Sequence, residues 1–102
     1  LGRRRKLGGG SSRGSGRKVR LRWENRAWEK AEHPRLVSNA VKVGGSEYVF
    51  EIGYHWPMKK YMLDINETKD YGRGRPETYG RVKFFDSIPE AKKEAQRIAS
   101  GG

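Results

Sequence analysis

From Tyr48 to Trp56 every second residue is large and apolar. Tyr48, Phe50, Ile52, Tyr54 and Trp56 alternate with Val49, Glu51, Gly53 and His55. Successive side chains of an extended chain point to opposite faces, so this spacing predicts a strand with one face buried. Its flanks supply strands to pair with it. Val37, Val41 and Val43 share one parity, and Gly44-Gly45-Ser46 after them predicts a hairpin turn. Pro57 ends the central strand. Over 60–67, Tyr61, Leu63 and Ile65 alternate with Met62, Asp64 and Asn66, which predicts a second hairpin. Residues 68–80 hold four Gly or Pro and no aliphatic residue and read as a loop, before a last strand over 81–85.

A helix follows. Ser87 and Glu90 have capping-box spacing, and Pro89 sits in the first turn, where its missing N–H would be unpaired anyway. Ile88, Ala91, Ala95, Ile98 and Ala99 form a narrow apolar stripe, and Gly101-Gly102 ends it. These elements predict an α+β domain: a small antiparallel sheet of three to five strands with the C-terminal helix packed on one face. Trp23, Val41, Phe50, Ile52, Leu63 and Ile65 are the expected core of the sheet, joined by Val82 and Phe84. Ile88, Ala91, Ala95 and Ile98 are its helical side.

Charge divides the chain differently. The first acidic residue is Glu24, and nine cations precede it, so residues 1–22 carry +9 of the net +11. Residues 1–16 consist of Gly, Ser and Arg apart from Leu1, Lys6 and Leu7. They lack the apolar surface to offset the entropy of ordering, so a disordered basic arm is expected there, and a single domain over 17–102. The GGGSS run also has the composition of an engineered flexible linker. Over 18–23, Val19, Leu21 and Trp23 alternate with Lys18, Arg20 and Arg22, predicting a strand with a cationic row on one face. Residues 24–33 leave helix and loop open: Ala27, Trp28 and Ala31 would share a helix face, with His33-Pro34 as its stop.

Such a segment implies a polyanionic partner, because each phosphate it neutralises releases condensed counterions. The expected nucleic-acid contacts begin with Arg3, Arg4, Arg5, Lys6, Arg13 and Arg17 in and beside the arm. They continue with Lys18, Arg20 and Arg22, and with Lys59 and Lys60 in the aromatic-basic run 54–61. Lys69, Arg73, Arg75, Arg81 and Lys83 follow, with Tyr79 among them to stack on an unpaired base. Asp70 and Glu77 in the same stretch favour a merely solvated loop instead.

Catalysis has weaker support. Asp64, Glu67 and Lys69 have the residue types of a metal-dependent nuclease, but an odd separation puts the two carboxylates on opposite faces of a regular strand. A zinc site would have to combine His33 and His55 with carboxylates, since cysteine is absent. No catalytic residue, metal or cofactor is therefore expected. No apolar run approaches the ~20 residues that span a bilayer, and residues 1–22 lack the apolar region of a secretory signal. An intracellular setting is expected, in cytoplasm, nucleoid or nucleus, without a membrane partner.

The order strand, turn, strand, loop, strand and capped helix over 47–100 resembles the three-stranded-sheet DNA-binding domains of the plant AP2 type and the arm-type domains of tyrosine-family integrases. The run Phe85-Asp86-Ser87-Ile88-Pro89-Glu90-Ala91 carries the resemblance, matching the F-D-x-x-x-E-A helix start of those families. It implies DNA rather than RNA as the partner. In those families one sheet face carries base-reading Arg and Trp, whereas the second strand here offers Asp64, Asn66 and Glu67. An RNA- or ribosome-associated structural protein and an adaptor for an acidic protein are the alternatives.

Overall fold

The alternation that begins at Tyr48 builds the centre of the molecule. The computed structural model describes residues 19–69 and 75–101. In chain order the strands are β1 (Trp23–Asn25), β2 (Leu36–Ser38), β3 (Val41–Val43), β4 (Ser46–His55), β5 (Lys60–Lys69) and β6 (Glu77–Phe85), followed by helix α1 (Ile88–Ala99). They form one antiparallel sheet in the order β1-β2-β4-β5-β6, with β3 also paired to β4. Six strands among the described residues exceed the three to five expected.

β4 and β5 pair along their full length, from Ser46↔Lys69 to His55↔Lys60. This register puts Phe50 opposite Ile65 and Ile52 opposite Leu63, and all four are fully buried. Ala91, Ala95 and Ala99 of α1 pack onto them, small enough to let the helix approach the sheet. The cap forms as predicted: Ser87 Oγ accepts from the Glu90 N–H at 3.4 Å and donates to the Glu90 carboxylate at 3.1 Å. Gly101, at φ +83, ends the helix and donates to the Ile98 carbonyl.

Three expectations need correction. The three valines do not share a face, because the register against β4 slips by one residue between β2 and β3. Val37 pairs with Glu51 but Val41 pairs with Tyr48, which sends Val37 to the open face and Val41 to the core. The extra residue is a bulge at Asn39-Ala40, and the buried Ser38 hydroxyl fills the gap by accepting the Phe50 N–H at 2.9 Å.

Secondly, six of the thirteen residues of the loop expected over 68–80 are strand. Thr68 pairs with Thr78 and Lys69 with Glu77, which leaves only 70–76 between β5 and β6. Thr and Tyr suit an extended chain, but here both faces are solvated and no apolar rhythm marks it. The same register places Val82 opposite Asp64 and Phe84 opposite Met62, away from the helix. Val82 is 47% exposed, and Phe85 rather than Phe84 packs against the core.

Thirdly, 19–22 stand outside the sheet and the ladder starts at Trp23. The parity holds nevertheless: Val19, Leu21 and Trp23 pack inward while Arg20 and Arg22 are exposed. A side chain replaces the missing strand. Gln96 of α1 accepts the Leu21 N–H at 3.2 Å and donates to the Val19 carbonyl.

Residues 26–35 form a loop of turns, without a helix. Arg26 N–H bonds the Arg35 carbonyl at 2.8 Å, and Asn25 Oδ1 accepts from Ala27 at 3.0 Å and Arg35 at 3.2 Å. Side-chain bonding of this kind competes with helix formation. Among the described residues no helix is long and apolar enough to cross a membrane.

Candidate nucleic-acid interface

The expected cations are distributed over several surfaces. Arg3, Arg4, Arg5, Lys6, Arg13, Arg17, Lys18 and Arg73 lie outside the described residues, as does the arm as a whole. Arg20 and Arg22 are exposed on the segment that Gln96 anchors. The Arg22 backbone is fixed from the other side: its N–H donates to Asn39 Oδ1 at 2.8 Å and its carbonyl accepts from Asn39 at 3.1 Å. These two arginines therefore stand on a rigid root.

Lys59 and Lys60 lie at the β4–β5 turn, where Lys59 adopts φ +53 and Lys60 pairs with Asp86. Lys69 and Arg75 lie at the other end of the sheet, about 30 Å away along nine strand steps. There Lys69 sits 3.8 Å from Glu67 and 5.8 Å from the centre of the Tyr79 ring. Tyr79, Arg81 and Lys83 alternate on one face of β6, the face that α1 covers further along. Lys83 is engaged by Glu94, which Arg97 also holds. Hydrogen bonds from Arg97 and Lys83 lower the Glu94 pKa to about 2. Lys69, Arg75, Tyr79 and Arg81 are thus grouped at the β5–β6 end with two carboxylates among them, Glu67 beside Lys69 and Glu77, which accepts from the Tyr79 hydroxyl at 2.7 Å.

The open face of the sheet has the opposite character. Glu24, Val37, Glu51, Asp64 and Val82 follow one another across five strands in register. Burial and the facing Glu51 carboxylate raise the pKa of Asp64. Arg35 answers Glu51 through its Nε. Phosphates would meet repulsion on this face, which carries carboxylates along its centre rather than a row of cations. Asp64 and Glu67 do fall on opposite faces, as their spacing predicts.

A second feature has almost no mark in the sequence. Trp28 and Trp56 are 68% and 57% exposed and line one open cleft of about 680 Å³ between the 26–35 loop and the β4–β5 turn. Its floor is an aromatic stack. His33 lies flat on Tyr54 at 3.9 Å and 11°, meets Trp56 edge-on at 5.2 Å, and reaches the Tyr61 hydroxyl through Nδ1 at 3.2 Å. Tyr54 packs edge-on against both Trp56, at 4.9 Å, and Tyr61, at 5.2 Å. Arg26, Lys30 and Arg35 border the cleft, with Glu32 as the carboxylate among them. His33 is thus a packed aromatic, and His55 lies on the open face against Phe84. The one sequence signal for the cleft is Trp28, an aromatic residue without a strand or a secure helix to bury it. No family model matches the chain, and no curated protein or solved structure matches it either.

Proposed function

We propose that this chain is a non-catalytic nucleic-acid-binding protein, with DNA ahead of RNA on the strength of the sheet resemblance. The observation that carries the reading is the nine cations before Glu24, the last two of which, Arg20 and Arg22, stand exposed on a rigid root. A cationic segment tethered in this way holds its charges near whatever the body contacts, and each neutralised phosphate adds affinity through counterion release. Lys69, Arg75, Tyr79 and Arg81 would add a second contact at the β5–β6 end. The carboxylates of the open face direct the nucleic acid away from that face.

The test is fluorescence anisotropy with duplex DNA, single strands and structured RNA across a salt series. Wild type is compared with a variant in which Arg3, Arg4, Arg5, Lys6 and Arg13 are replaced by Ser. The slope of log K against log salt should flatten by about 0.7–0.9 for each phosphate that the variant no longer neutralises. Absence of binding to every nucleic acid at low salt would sink the reading. Tighter binding to structured RNA than to duplex DNA would favour the RNA-associated alternative.

One observation favours the adaptor reading. Among the described residues β6 is an edge of the sheet along its nine residues, which offers one side of its backbone for strand addition by a partner. Capture of an acidic protein that survives nuclease treatment would support it.

A further inference from the structure

A large aromatic side chain is costly to leave in water, and two in one cleft call for an explanation that folding does not provide. Neither Trp28 nor Trp56 belongs to the buried core. The ring of Trp56 is nevertheless held by edge-on contacts with Tyr54 and His33, on a strand end that Tyr61 supports. A stacking surface is therefore already oriented, so a ligand would lose little entropy in ordering it. The border carries three cations, Arg26, Lys30 and Arg35, against Glu32 in the cleft and the Glu24 and Glu51 partners of Arg26 and Arg35. The flat π-surface suits a planar aromatic ligand. Although the three cations are matched by three carboxylates, Lys30 and the weakly paired Arg26 can meet anionic groups that such a ligand carries.

We propose that this cleft receives unpaired bases of a single-stranded nucleic acid, stacked against Trp56 and Trp28 while Arg26, Lys30 and Arg35 face the phosphates. The inference rests on the nucleic-acid reading above and deepens it, because paired bases in a duplex have no free ring face to offer. It assigns the body a preference that the arm cannot have, since the arm responds to phosphate charge alone. Arg26 would exchange its exposed Glu24 partner for phosphate at small cost, because such pairs are weak in water, while Arg35 would be shared between phosphate and the part-buried Glu51.

The experiment uses the full chain and two probes, a fluorescein-labelled oligothymidine and the same strand annealed to its complement. Wild type is compared with Trp28→Ala, Trp56→Ala, the double variant, the Trp56→Phe variant and the arm variant described above. Wild type should bind the single strand more tightly than the duplex, with quenching of tryptophan fluorescence. Each Trp→Ala change should weaken single-strand binding by about tenfold to a hundredfold, leaving duplex affinity and the salt slope unchanged. Trp56→Phe should recover part of the loss. The arm variant should show the reverse pattern, a flatter slope on both probes with the single-strand preference kept.

Unchanged single-strand affinity in the double Trp variant, with wild-type binding intact, would overturn the cleft and leave the nucleic-acid reading standing. Equal losses on both probes would also overturn it. Failure of wild type to bind either probe would remove both proposals together. Quenching by a neutral oligosaccharide but not by oligothymidine would reassign the cleft to another ligand.

Discussion

On the helix side of the sheet Phe50, Ile52, Leu63 and Ile65 are fully buried, while on the other side the same strands set Glu51 directly opposite Asp64. One-residue parity separates these two chemistries. The helix side gains its stability from packing against three alanines of α1. The open side keeps its carboxylates part-exposed and answers them with Arg35. Strength is thus concentrated on one face, and a polyanion is repelled from the other. Binding on the proposed reading belongs to the ends and edges of the sheet, where Arg20 and Arg22, the β5–β6 end and the Trp28–Trp56 cleft are found.

The largest expected effect tests that division directly. Leu63→Ala should lower unfolding free energy by about 2–5 kcal/mol, because α1 and the sheet cannot close over the cavity. Val82→Ala, one strand away and on the open face, should cost at most about 1 kcal/mol. Urea denaturation of both variants measures the contrast, and equal losses would mean that the open face is buried by something else.

A smaller effect concerns the root of the arm, which lies on the helix side. Gln96→Ala removes the partner of both the Leu21 N–H and the Val19 carbonyl. Stability should fall by about 1–3 kcal/mol. Hydrogen exchange at the Leu21 amide should quicken well before the β4–β5 amides respond. If Leu21 remains as protected as in wild type, the clamp is not what holds the segment.

Much of this architecture was legible in the sequence wherever one chemical rule dominated. The alternation of β4 and β5 fixed their faces, and Ser87, Pro89 and Glu90 fixed the helix start. Where two rules compete, reading fails. Val37, Val41 and Val43 read as one face because a bulge leaves no apolar mark, and only the buried Ser38 hydroxyl betrays it. Val82 and Phe84 look like an inward pair, yet the inward positions are Lys83, which reaches Glu94, and Phe85. The cleft was illegible for a different reason. Trp28 and Trp56 are 28 residues apart in sequence, and they come together only because Asn25 and Arg26 close the 26–35 loop back toward β4.

Two carboxylates, one on each face, should respond to acid with opposite signs, and this is the finest test of the comparison. Glu94, on the helix, is held near a pKa of about 2 by Arg97 and Lys83, below its ordinary 4.5. A lowered folded-state pKa means stability that is full above about 4.5 and is lost as pH falls through about 2. Glu94→Gln should therefore destabilise by about 1 kcal/mol at neutral pH, the usual size for partners this exposed, and converge with wild type in acid. Asp64 is shifted upward from 3.8 by burial and by Glu51. Its charged form opposes folding at neutral pH, and that cost disappears as pH falls through the raised value and below 3.8. Asp64→Asn should accordingly raise the melting temperature slightly at pH 7, with the gain closing in acid. Thermal melts of the two variants from pH 7 to pH 2 should start on opposite sides of wild type and converge on it. Melts displaced in the same direction at pH 7 would mean that the two faces do not differ electrostatically as their partners imply.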